Sequence, residues 1–318
     1  MWRSSSTVLF FTAVVAIGCG GRTVVVTPRA PIAAAVMSQL RGNQGAPPDL
    51  FWGVGGRTQA PSPEAIYTLK AKDTAGFSIS YDVIDPNGLE WSAKIGPEAQ
   101  TEVVVSRILS GLGYRQPPIY YLPSWRVRAG DGEVMRESEA RFRPKLPHLR
   151  RLDEIWSWAE NPFSGSRELK GLLVILLMLN STDLKDSNNT IYRVTEGRPP
   201  SNWYVVRDLG AALGETGKLY PRRNWLEGFE REAFITAVEG SRIEFAYDGR
   251  HQDLLAMIGP DDVRWAAREM SRLTDAQWRD AFRAGNYAPQ PAERFIRRIK
   301  EKIADGLAVR VDRRVEED

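Results

Sequence analysis

The chain has 318 residues, 42% of them hydrophobic and 26% charged, with 43 Lys and Arg against 40 Asp and Glu. This near-balance lacks the strong basic excess of nucleic-acid-binding domains, so no nucleic-acid partner is expected. A single cysteine, Cys19, excludes an intramolecular disulfide, and the apolar content with ten Trp must supply stability through one large core or two lobes.

Residues 1–18 have the parts of an export signal: Arg3, then an apolar run over 8–17, then small residues before Cys19. The run is too short to cross ~30 Å of hydrocarbon as a permanent helix. Ala16-Ile17-Gly18-Cys19 resembles a lipobox, where the signal is cut before a cysteine carrying diacylglycerol; Leu is commoner at the place of Ala16. The expectation is a lipoprotein anchored to a membrane of the bacterial cell envelope through Cys19. Gly20 after the cysteine favours the periplasmic side of the outer membrane in a Gram-negative host. Cleavage would remove one cation, Arg3, and no acid, leaving 42 bases against 40 acids. The alternative is an ordinary secretory signal with a chance cysteine.

Residues 19–63, rich in Gly, Pro, Ala and Gln, read as the lipidated cysteine and a flexible tether whose end docks through Phe51-Trp52. Beyond it, residues 66–71, 77–83 and 89–95 read as strands. Asp85-Pro86-Asn87-Gly88 is a hairpin turn between the second and third. Gly96-Pro97-Glu98 opens a helix that runs to about Leu112 and stops at Gly113. Residues 117–122 and 139–146 suggest two more strands. After Pro147 the pattern is helical. Ser166 caps a helix from Arg167 to about Asn180 that is apolar on every side over 172–179 and therefore buried. Further helices are expected at 225–239, 260–273, 275–284 and 291–306. The layout predicts an α+β body of two lobes: a small antiparallel sheet with one helix over 64–146, and a larger helical lobe over 147–318.

Directly after the buried helix stands Ser181-Thr182-Asp183-Leu184-Lys185-Asp186-Ser187-Asn188, and after the apolar run 203–206 comes Arg207-Asp208-Leu209-Gly210. Upstream, Trp91-Ser92-Ala93-Lys94-Ile95 precedes a helix bearing Glu98 and Glu102. Together these resemble the protein kinase superfamily. The first segment is similar to the H-R-D-L-K-x-x-N catalytic loop from its Asp onward, the second to D-F-G, and the third to the V-A-I-K lysine strand, all in kinase order. The resemblance implies a two-lobed protein kinase-like fold and a membrane-anchored atypical phosphotransferase using Mg²⁺ and ATP or another nucleotide on an unknown phosphate acceptor. It implies that Asp183 is the catalytic acid/base, that Lys185 neutralises the transferring phosphoryl, and that Asn188 and Asp208 hold the metal. Lys94 would contact the α/β-phosphates, oriented by a helix carboxylate; Glu102 is preferred over Glu98, which in the first turn serves the helix dipole.

There are departures from the pattern. Ser181 and Thr182 replace His and Arg, no G-x-G-x-x-G covers the first hairpin, and no A-P-E follows Asp208. These leave two alternatives: a non-catalytic kinase-fold (pseudokinase) binding module of the envelope, or a structural lipoprotein with an unrelated α+β body. Each motif alone is also consistent with a polar loop or plain turn. Two histidines, His148 and His251, lack companions at metal-ligand spacing, so no zinc site is expected. The run Arg141-Phe142-Arg143-Pro144-Lys145 with Arg150-Arg151 reads as a solvated face or a greeting for an anionic headgroup or phosphate. Trp156 and Trp158 read as core, and Arg294, Arg297, Arg298, Lys300 and Lys302 as cations snorkelling over the last helix.

Overall fold

The computed structural model describes residues 31–42, 49–75, 78–196, 200–216 and 221–310. A short helix, α1 (Ala34–Met37), precedes a curled seven-stranded sheet. Its strands are β1 (Ile66–Asp73), β2 (Ile79–Ile84), β3 (Glu90–Ile95), β4 (Tyr120–Leu122), β5 (Trp125–Arg128), β6 (Val134–Glu137) and β7 (Ala140–Pro144). They lie in the order β4-β7-β3-β2-β1-β5-β6, antiparallel except for β1 with β5. The turn between β2 and β3 forms where the sequence predicts it: Asp85 Oδ1 accepts from the amides of Asn87 (2.8 Å) and Leu89 (3.0 Å), and Gly88 takes φ 86°.

Alternation along β3 and β7 separates two chemistries. Trp91, Ala93, Ala140 and Phe142 join Tyr67, Tyr81 and Trp125 in a buried aromatic core with edge-on ring contacts. The opposite face carries Ser92, Lys94, Arg141 and Arg143, because successive strand residues point to opposite sides. Helix α2 (Ala99–Gly111) follows β3 and is buried along almost its whole length.

The second half begins with β8 (Leu149–Arg151) and α3 (Arg167–Met178). Ser166 caps α3 as expected, its Oγ accepting from Leu169 N at 3.1 Å, and residues 172–179 are buried. β9 (Asn189–Val194) and β10 (Ser201–Val206) complete a small sheet ordered β10-β9-β8. After α4 (Leu226–Arg231) come a hairpin of β11 (Ile235–Glu239) and β12 (Arg242–Phe245), a turn α5 (Gln252–Leu255), and helices α6 (Pro260–Ser271), α7 (Asp275–Ala284) and α8 (Pro289–Ala308). One core unites α3, α6, α7 and α8 with Val104, Val105, Ile108 and Leu109 of α2. Helix α2 is thus shared: it lies on the polar face of the sheet and buries its apolar side among the helices. The fold is α+β.

Three expectations need correction. The tether does not extend to Pro63: Leu40 and Leu50 are buried in the helical core, Arg41 pairs with Glu269, and Trp52 packs on the aromatic core, so the described residues 33–42 and 49–63 belong to the body. Apolar anchors spaced among the small residues overcome the flexible composition. The helix expected at 225–239 stops at Arg231, and Ile235-Thr236-Ala237-Val238 pairs as β11 because Gly240 turns the chain at φ 59° into a hairpin. Lys302 does not snorkel. It lies in the apolar stripe of α8 with Ile299 and Ile303, fully buried, with Nζ donating to Asn180 Oδ1 at 2.6 Å and lying 4.2 Å from the Phe229 ring. Trp156 and Trp158 are buried in the core. No helix among the described residues is long and apolar enough to cross a membrane.

Burial, reinforced by the nearby Arg298, pushes the Lys302 ammonium down to about 7. Between there and the ordinary lysine range the unfolded chain binds a proton that the folded chain does not. Stability from this group therefore rises with pH through that window, and the cost of burying the charge is fully present only below it. Urea denaturation midpoints between pH 7 and 10 should climb more steeply for the wild type than for Lys302→Met. Parallel curves would remove Lys302 as the source.

Candidate functional site

Lys94 leaves the polar face of β3 and reaches two carboxylates. Its Nζ lies 3.0 Å from Glu98 Oε2 and 3.7 Å from Asp208 Oδ1. Glu98 is the N-cap of α2, so its position follows from where that helix starts, and it also pairs with Arg223. Asp208 follows β10 and takes φ 48°, a left-handed conformation that Asp tolerates better than most residues and that still costs about 1 kcal/mol. Gly210, two residues on, must be glycine for this approach: a Cβ there would stand 2.3 Å from the Glu98 Cβ and 3.0 Å from its carbonyl oxygen. The turn after β10 and the first turn of α2 are therefore pressed together, with Lys94 between the carboxylates.

The loop 181–188 leaves the C-terminal end of α3 and is sewn to the Asp208 segment by its main chain. Thr182 N donates to Ala211 O (2.9 Å), and Arg207 N donates to Asn188 O (2.8 Å). Within the loop, Asn188 Nδ2 donates to Asp183 O at 2.8 Å, and Lys185 Nζ sits 2.9 Å from Asp183 Oδ1. Two further contacts brace the loop: His251 Nε2 bonds Leu184 O at 2.7 Å, and Asp186 Oδ1 accepts from Trp158 N at 3.1 Å. His251 holds φ 64° to do so. No motif flags that residue in the sequence.

Glu102 is not the partner of Lys94, which corrects the preference drawn from the sequence. It lies one turn deeper in α2, fully buried, with Arg141 Nε at 3.0 Å and Arg143 Nη2 at 2.6 Å. Glu98, set aside as a dipole residue, holds the lysine instead. The reason is the rise of the helix: Lys94 sits beside its first turn, while Arg141 and Arg143 project from β7 under the second. Burial alone would raise the Glu102 carboxyl, but Arg141, Arg143, Lys94 and Arg207 outweigh it and hold it well below the usual carboxylate range.

The donors available to a cation are oxygens. Asp208 offers a partly exposed carboxylate, and Asn188, its amide nitrogen committed to Asp183, offers Oδ1. Such hard donors suit Mg²⁺. Among the described residues no three His, Cys, Asp or Glu side chains gather as a metal-binding group, so a cation here would complete its shell with phosphate oxygens or water. Beside the cluster, a cavity of about 480 Å³ opens between β3 and β7 on one side and β8 and β9 on the other, with Ser92 and Arg207 in its wall. Cys19 lies outside the described residues.

The two glutamates should separate by mutation. Glu102→Gln leaves two buried guanidiniums without their shared anion and should lower stability by about 3–5 kcal/mol. Glu98→Gln leaves Lys94 and Arg223, whose side chains are 17% and 28% exposed and can still meet water, and should cost clearly less. Chemical denaturation of both variants reads the difference; equal losses would contradict the assignment of Glu102 to the scaffold.

No protein family model matches the chain, and no curated protein matches it. Among solved structures it is similar to the Golgi casein kinase, with a TM-score of 0.39 at 10% identity over 81% of this chain and 74% of that one. A second structure of the Golgi casein kinase, with Mn/ADP bound, gives a TM-score of 0.39 at 10% identity over 78% and 73%. The Helicobacter pylori proinflammatory kinase CtkA gives 0.36 at 9% identity, covering 76% of this chain and 97% of that chain.

Proposed function

We propose that the chain is an atypical kinase-like phosphotransferase that uses a Mg²⁺-bound nucleotide. The observation that carries the reading is the meeting of Lys94, Glu98 and Asp208 across two elements far apart in sequence, beside a loop carrying Asp183, Lys185 and Asn188. Phosphoryl transfer asks a protein mainly for positioning and countercharge. Glu98 aims the Lys94 ammonium at the α/β-phosphates. Asp183 accepts the proton of the attacking hydroxyl as the new O–P bond forms and the bond to the leaving phosphate breaks. Lys185, paired with Asp183 in the resting protein, turns to the charge on the transferring group. Asn188 Oδ1 and Asp208 would hold Mg²⁺, which supplies charge neutralisation across the phosphates. We extend the proposal to the N-terminus: export, cleavage before Cys19 and lipid anchoring would place this body in the cell envelope.

A second reading, nucleotide binding without transfer, is favoured by the closure of Lys185 onto Asp183. Both readings need nucleotide. Thermal shift and calorimetry of the 20–318 chain with Mg²⁺ and a nucleotide panel, together with assay of phosphate release, separate them. The expected result is a Mg²⁺-dependent rise in Tm that Asp208→Ala abolishes, accompanied by turnover that Asp183→Asn lowers by about two to four orders of magnitude. Binding without turnover selects the second reading. No response to any nucleotide in the presence of Mg²⁺ overturns both and leaves a structural lipoprotein.

A further inference from the structure

The basic run of β7 and β8 has a place that the phosphotransfer reading does not use. The cavity beside the cluster is lined by Arg143, Lys145, Arg150, Arg151 and Arg207, against one acidic lining residue among those described, Asp82. Asp82 is already taken, lying 2.9 Å from Lys145 Nζ. The other four cations of the lining are guanidiniums, and among the described residues only Arg143 of the four has a carboxylate partner, Glu102. Arg143 is 4% exposed and spends Nη2 on Glu102, yet its Nε and Nη1 are buried without a hydrogen-bond partner. Arg207 Nε is likewise buried and unpartnered. Arg150 and Arg151 stand exposed at the rim, within reach of an incoming ligand.

Buried donors left unmade are costly, and like charges crowded in one wall repel one another, so this lining is unfavourable unless something anionic enters. Guanidinium forks match phosphate oxygens two at a time. The volume is that of an ordinary small-molecule site.

We propose that this cavity is an anion site for a phosphate-bearing small molecule, held by Arg143, Arg150, Arg151 and Arg207. It rests on the reading of the neighbouring cluster only for its use, as the place where the donor or acceptor keeps a further phosphate. Binding itself needs neither Mg²⁺ nor Asp208. A polyphosphate chain and a phosphomonoester present the same chemistry, and the two are told apart by probe.

The test is calorimetry on the 20–318 chain in EDTA with inorganic tripolyphosphate, glycerol 3-phosphate and, as neutral control, glycerol. At least one phosphate probe should bind, more weakly as salt is raised, and glycerol should not. Arg150→Ala/Arg151→Ala, two exposed rim changes that leave the buried pairs intact, should weaken that binding by about tenfold or more. Asp208→Ala should leave it unchanged, so a failure of the metal cluster is read separately. Binding of tripolyphosphate alone names a polyphosphate, and binding of both names a phosphoryl group as such. Phosphate binding matched by glycerol, phosphate binding unaffected by the rim double variant, or no binding of either phosphate would each overturn the proposal.

Discussion

Glu102, fully buried between Arg141 and Arg143, is the interaction on which the rest of the molecule depends. It ties helix α2 to strand β7 through the polar face of the sheet, while the other side of α2 is built into the helical core. The sheet and the helices are thereby joined through one charged layer. Buried ion pairs are weak sources of net stability but strong constraints on which arrangement is allowed, since any shift strands a charge. Sliding α2 by a turn would expose three ionic groups to apolar surroundings. With the helix held in that register, Glu98 comes to lie beside Lys94, and Gly210 admits the loop that brings Asp208 to the same point.

Charge is distributed unevenly around that layer. One buried carboxylate serves two buried arginines, and a third, Arg207, stands nearby. The excess sits next to a cluster whose residue types suit phosphate and divalent cation. A site that is net cationic before ligand arrives raises the local concentration of anions and lets each guanidinium act with little reorganisation. Under the proposed function, the oxygens of Asn188 and Asp208 are where a cation would share that anion. The scaffold and the proposed chemistry then share one arginine-rich strand.

The parts of this structure legible in the sequence are those decided locally. The Asp85–Gly88 turn, the start and stop of α2 and the Ser166 cap each rest on a few adjacent residues, and each forms as read. The strands β5 and β6 carry a weaker local signal, alternation in Trp125–Arg128 and an Asp131-Gly132 turn. β8 and β9 had less, being short and defined by pairing with distant segments. The order of Lys94, Asp183, Asn188 and Asp208 was visible, but the choice between Glu98 and Glu102 was not, because residues four apart share a helix face. Only the placement of β7 decides it. The alternation Ala140-Arg141-Phe142-Arg143 was the clue: in a central strand it puts two cations on one face, and a buried anion must meet them. His251, whose role comes entirely from a distant turn, left no such trace.

The central claim is that Asp208 and Asn188 form a cation site completed by phosphate beside Lys94. Electron paramagnetic resonance of Mn²⁺ titrated into the 20–318 chain, with and without nucleotide, tests it most directly. The account predicts free Mn²⁺ in the absence of nucleotide, bound Mn²⁺ in its presence, and loss of that bound signal in both Asp208→Ala and Asn188→Ala. Mn²⁺ that binds equally well to both variants, or that never binds with nucleotide present, would contradict it.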